Sequence, residues 1–162
     1  MCIIPDSEIA EAASRGLLIS SNYSSAGLTP NGYDLRVDEI MFEGSAPSRT
    51  ISIPPTRWFA VSTLEWISLP DDICAQLWIR SSFARRGVIS SFGKVDAGFH
   101  GRLTLSGYNA ASTPLSLTSG TRFAQIVFER LCSPAGSTYD KRTGHYQGSD
   151  GIVLSRDAKD EV

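Results

Sequence analysis

Apolar and polar residues alternate with a period of two across 102–108. Leu103, Leu105 and Gly107 fall on one face, and Arg102, Thr104 and Ser106 on the other. That is the pattern of a half-buried β-strand. Segments 35–42, 50–53, 58–67, 73–79, 115–118 and 122–131 are also short. They are rich in β-branched and aromatic residues and bounded by Gly, Pro, Ser or Asp, so they too predict strands. Pro54-Pro55, Pro70-Asp71-Asp72 and Ser119-Gly120 supply turn chemistry between them. One stretch has a different period. Ile9, Ala12 and Ala13 share a helical face, Asp6 and Glu8 stand in the first turn, and Gly16 follows Arg15 as a stop, which predicts a helix over 5–16. The Ser/Gly/Asn/Pro stretch 20–32 reads as loop. The pattern predicts a mostly β chain, a sandwich or a jelly roll, with one N-terminal helix.

After Ser133 the apolar period stops. The segment is polar and carries Gly136, Gly144, Gly148 and Gly151. It reads either as a frayed terminus or as a mobile lid, since Tyr139, Lys141, Arg142, His145, Tyr146 and Gln147 supply many donors and rings. The expected organisation is therefore a β domain over 1–132 and a glycine-rich tail over 133–162.

Composition narrows the function classes. With 162 residues the chain suits one domain, and 41% apolar residues can build a real core. The net charge of −2 argues against a nucleic-acid polymer as partner. That total hides a bias. Segment 73–149 holds nine Lys/Arg against three acids, a balance of +6, which leaves −8 for the rest. An arginine-rich half fits a local anionic ligand as well as ordinary solvated surface. No apolar run is long enough to span a membrane and the start lacks a signal-peptide pattern, so a cytoplasmic protein is expected. Cys2, Cys74 and Cys132 are odd in number and far apart. They read as reduced thiols, with Cys74 and Cys132 in the core. The zinc-deaminase ligand set is absent, as are a P-loop and a G-x-S-x-G elbow.

Candidate chemistry falls in four segments. They are Gly32-Tyr33-Asp34-Leu35, Arg80-Ser81-Ser82-Phe83-Ala84-Arg85-Arg86-Gly87, Val95-Asp96-Ala97-Gly98-Phe99-His100-Gly101 and Gly120-Thr121-Arg122-Phe123-Ala124-Gln125. An arginine followed by two hydroxyls at a strand end presents a guanidinium fork, two O–H groups and backbone N–H groups, a set suited to polyphosphate. Asp96, between two strands and before small residues and a ring, reads as a holder of a sugar hydroxyl or a water, or as an Asx turn.

In this order and spacing, R-S-S-x-A-R-x-G, V-D-A-G-F-x-G, G-x-R-x-A-Q-I-V-F and the late G-x-Y-Q-G resemble the dUTPase/dCTP deaminase superfamily over about Ile4 to Arg156. The resemblance is closest to the deaminase-like branch, short archaeal type. The G-G-F-G-S-T-G-type ending of typical dUTPases is absent. The resemblance implies a jelly-roll-like distorted β-barrel, a homotrimer with sites at subunit interfaces, and Mg²⁺ carried on the nucleotide phosphates, with Asp34 a candidate to reach it through water. It further implies that Arg80, Ser81 and Ser82 clamp the triphosphate, and that Asp96 holds the 3′-hydroxyl and an attacking water. Phe99 would lie against the sugar, and Gln125 would place phosphates or water. Val95 and its hairpin would read the pyrimidine edge. Tyr139, His145, Tyr146 and Gln147 would close over the phosphates. Arg85 is implied as a substrate contact, and His145 stands where deaminases commonly have lysine.

One departure bears on the reaction. Ser106 occupies the place where deaminases of this superfamily carry a glutamate. Deamination needs a tunable proton shuttle, and a serine hydroxyl does not supply one. Hydrolysis at the α-phosphorus needs a positioned water, a carboxylate and cations, which Asp96, Mg²⁺ and Arg80 would provide. The expectation is therefore a dUTP diphosphatase, dUTP + H₂O → dUMP + diphosphate. The alternatives are a dCTP deaminase, a bifunctional deaminase/dUTPase, or a non-catalytic nucleotide-binding trimer.

Overall fold

A computed structural model describes residues 2–142 and 144–154. In chain order the elements begin with β1 (Cys2–Ile3), α1 (Asp6–Ser14), β2 (Leu18–Ser21), a 3-10 turn at Ser25–Gly27, β3 (Leu28–Thr29) and β4 (Gly32–Phe42). They continue with β5 (Thr50–Ile53), β6 (Trp58–Thr63), β7 (Trp66–Ser68), β8 (Ile73–Ile79), α2 (Ser81–Ala84) and β9 (Val88–Ile89). The last are β10 (Lys94–Val95), β11 (His100–Gly101), β12 (Thr104–Asn109), β13 (Leu115–Thr118), β14 (Arg122–Arg130) and α3 (Tyr139–Arg142).

The large sheet has the order β10-β8-β14-β4-β6-β12-β9, with β1 added on β14 and β3 on β4, and it curls into a half-barrel. Smaller sheets, β11-β7-β2 and β13-β5, complete the jelly-roll-like body. Crossovers between non-consecutive neighbours place β8 between β10, which pairs with Ala75 and Gln76, and β14. The predicted alternation across 102–108 holds, because Leu103, Leu105 and Gly107 are buried while Thr104 and Ser106 are only half-buried. Helix α1 buries Ile9 and Ala12 as the period requires.

Phe123 anchors the core near the clamp segment. Its ring meets Phe59, Phe83 and Phe92 edge-on, at centroid distances of 5.9, 5.1 and 6.3 Å. Phe83, 5% exposed, belongs to the single turn α2. Its burial contributes about 2 kcal/mol and fixes the turn, so that Ser81, Ser82 and Arg85 stand on the surface.

Three expectations change. The stretch 20–32 is not plain loop. It contains the end of β2, the 3-10 turn and β3, which pairs with the start of β4. The predicted strand 58–67 breaks into β6 and β7 because Glu65, fully buried, turns its carboxylate onto strand β4. There it accepts from Arg36 N at 2.8 Å, Arg36 Nε at 2.7 Å and the Tyr33 hydroxyl at 3.3 Å. Burial, then the Glu65 charge, push the Tyr33 phenol up to about 12. Third, Cys74 is buried but Cys132 is exposed, since it lies just past the end of β14, outside the sheet.

Candidate active site

Segment 94–106 forms one wall of a cavity of about 390 Å³. Lys94, Val95, Asp96 and Phe99 come from β10 and the loop after it, and Thr104 and Ser106 from the outward face of β12. The tail closes the cavity with Tyr139, Tyr146, Ser149 and Val153. Asp96 is the only carboxylate lining it among the described residues. Phe99 is 5% exposed, and the Tyr139 ring meets it edge-on at 5.6 Å. The described part of the segment, 138–142 and 144–153, is therefore packed against the barrel. The Tyr139 hydroxyl accepts from Tyr146 N at 3.0 Å, and Val153 N donates to Thr104 Oγ1 at 2.9 Å.

Two glycines admit this tail. Gly98, at φ +86°, has Thr138 where a side chain would begin, since an added Cβ would stand 2.5 Å from Thr138 Cβ. At Gly101, φ +152°, an added Cβ would meet Ser149 N at 3.0 Å. Only glycine allows both the conformation and the close approach.

Of the expected site residues, Val95, Asp96, Phe99, Ser106, Tyr139 and Tyr146 share the cavity. Arg80, Ser81, Ser82, Arg85, Gln125 and His145 do not line it. Arg80 closes β8 and is held from within. Its Nε lies 3.0 Å from Asp34 Oδ2, and its NH1 donates to Arg122 O at 3.1 Å. Arg122 NH1 stands 3.8 Å from the same Asp34 oxygen. Asp34 is 5% exposed, and its Oδ2 is shared by these two arginines. Gln125 donates to Thr29 Oγ1 at 2.6 Å. Gln147 turns both ends of its carboxamide onto backbone groups of 98 and 100, not toward the clamp. No group of three or more His, Cys, Asp or Glu among the described residues could hold a metal.

Arg102 had no expected role beyond a polar strand position, yet it lines the cavity. Its NH1 pairs with the buried Asp38, which also faces Arg49 NH2 at 3.1 Å, and its Nε reaches Asp150 in the tail at 3.2 Å. The signal was Asp38, an acid on a strand where its neighbours Val37 and Ile40 are buried.

A sequence model described as "dCTP deaminase-like" matches residues 41–131. A dCTP deaminase from Pyrococcus horikoshii is 40% identical, covering 97% of this chain and 99% of its own. The chain belongs to the dCTP deaminase-like family. A relative from Aquifex aeolicus, named "dCTP deaminase, dUMP-forming", is 33% identical over 98% of this chain and 97% of its own. Among solved structures, a 2′-deoxycytidine 5′-triphosphate deaminase from Agrobacterium tumefaciens shares the fold with a TM-score of 0.68 at 19% identity. That likeness covers 79% of this chain, which spans about half (48%) of the Agrobacterium chain. A dUTPase of Staphylococcus bacteriophage 80alpha follows at a TM-score of 0.53 and 19% identity, covering 73% of this chain and 89% of its own.

Membership corrects the expectation of a dUTP diphosphatase. Relatives about 40% identical over nearly the whole chain carry the deaminase name, whereas a dUTPase matches only as a distant fold. The expectation took Ser106 as the loss of the proton shuttle and gave Asp96 to hydrolysis. A serine there removes one carboxylate from the wall, but Asp96 lines the same cavity and can exchange protons.

Proposed function

We propose that this member of the dCTP deaminase-like family deaminates dCTP, dCTP + H₂O → dUTP + NH₃. The observation that carries the reading is the near full-length identity to relatives of that name. The cavity supports it. Asp96 takes a proton from water as oxygen adds at C4 and passes it to N3, and it then carries the proton of the added hydroxyl to the amine, so that ammonia leaves as the C4–N bond breaks and the C4 carbonyl forms. Ser106 holds the water or the leaving nitrogen by its hydroxyl. Phe99 packs against the sugar, and Val95 offers backbone groups to the pyrimidine edge. Mg²⁺ enters with the triphosphate as part of the substrate.

Arg80, Ser81 and Ser82 are the phosphate clamp, with Arg85 and Gln125 beside them. They stand off the cavity that holds Asp96, so a complete site takes its clamp from one copy and its cavity from the next, in a homotrimer. Mixing inactive Asp96→Asn and Arg80→Ala chains under conditions that reassemble subunits tests this. Random one-to-one mixing should restore about a quarter of the wild-type rate. No recovery places both halves in one copy.

The reaction itself is tested by supplying Mg²⁺ and dCTP and following ammonia, dUTP, dUMP and diphosphate. Ammonia is expected, and none would overturn the reading. The "dUMP-forming" name of the Aquifex relative favours a second reading, in which the same site also releases diphosphate. Ammonia accompanied by dUMP and diphosphate would decide for it.

A further inference from the structure

The tail does more than cover the cavity. It supplies a missing strand edge. On one side, the backbone of 98–100 is held by β7 and the turn after it, through Gly98 N to Pro70 O at 3.2 Å and Leu69 N to Phe99 O at 2.9 Å. On the other side, His100 O accepts from Gly148 N at 2.7 Å and Arg102 N donates to Ser149 O at 2.8 Å. Between these tail contacts and α3, Gly98 O and His100 N need partners, and among the described residues no backbone group of the tail reaches them. The Gln147 side chain does. Its Nε2 donates to Gly98 O at 3.1 Å and its Oε1 accepts from His100 N at 3.1 Å. One carboxamide thus completes a ladder position otherwise filled by a peptide group.

We propose that Gln147 is a positioning residue. It grips the backbone on both sides of Phe99 and so sets the ring and the loop leaving Asp96 before any nucleotide arrives, without itself touching the nucleotide. The chemistry of the residue requires this form. A primary amide places a donor and an acceptor side by side on one planar group, as a peptide edge does, whereas an ionised glutamate offers acceptors alone. The role in turnover rests on the deaminase reading above. The grip on the backbone does not.

The test separates the two. In the nucleotide-free protein, Gln147→Ala should speed amide exchange of His100 by about tenfold, the loss of one hydrogen bond, and shift the Phe99 ring resonances. Gln147→Glu keeps the acceptor but loses the donor. It should leave His100 protected while still disturbing Phe99, because a carboxylate oxygen then faces Gly98 O. With dCTP, both variants should lower kcat about tenfold. If His100 exchange and the Phe99 resonances in Gln147→Ala match wild type, the proposal is overturned, and a fall in rate without that change would place the side chain on the nucleotide instead. Faster exchange with unchanged kcat also overturns it. If wild type releases no ammonia from dCTP, the functional reading fails, and the exchange result alone decides the grip.

Discussion

Arg80 points its Nε at Asp34 Oδ2 from 3.0 Å, so an arginine proposed to meet phosphate is held from behind by a buried carboxylate. An arginine fixed in this way loses less rotamer freedom on binding an anion. Asp34→Asn should therefore raise the KM for dCTP about tenfold with a smaller change in kcat. Steady-state kinetics check this. An unchanged KM would mean that Arg80 reaches phosphate without its brace.

Asp96 is exposed on the cavity wall and makes no ion pair among the described residues, so replacing it removes chemistry and not packing. Asp96→Asn should lower ammonia release by roughly 10²–10⁴-fold while the melting temperature stays within a few degrees. A variant within a few-fold of wild type would remove Asp96 from the proton path. Ser106→Glu places a second carboxylate on the same wall, and ammonia release from dCTP should rise.

Alkaline stability follows from Tyr33. Its phenol titrates near 12 in the folded chain against 10 when free, so the folded state holds the proton more tightly. Stability from this group is fully present below pH 10 and is lost as pH rises from 10 to 12. The total is about 2–3 kcal/mol. Urea unfolding across that window should show a steeper decline for wild type than for Tyr33→Phe. Parallel declines would contradict it.

Asn109 is 1% exposed and has every amide group in use. Its Nδ2 donates to Ile53 O, Pro54 O and Thr113 O, and its Oδ1 accepts from Ala111 N. Asn109→Ala leaves these buried groups without partners and should cost about 3 kcal/mol. The urea midpoint should fall with an unchanged slope.

Where local pattern decided the structure, the sequence was legible. The 102–108 alternation, the segments 50–53, 73–79 and 115–118, and helix α1 all needed only period and turn chemistry. The cavity was legible in part, because Val95, Asp96, Phe99 and Ser106 lie within twelve positions of one another along the chain. What escaped depended on partners distant in sequence. Glu65 breaks a strand only because Arg36 and Tyr33 lie beneath it. Arg102 enters the wall only because Asp38 waits in β4. The reaction was misjudged at Ser106 because Asp96, which lines the same cavity, was assigned to hydrolysis alone.

The edge that Gln147 supplies to Gly98 comes from 49 positions further along the chain. During synthesis the barrel strands through β14 can pair while the 98–102 segment still has one side open. The pocket is finished only after residue 153 has emerged. Closing a span of that length adds little entropy beyond a shorter one, so the delay is one of order and not of energy. A nascent or truncated chain would thus hold a formed scaffold around an unfinished pocket, and cleavage anywhere in 138–148 would silence the site while leaving the barrel intact.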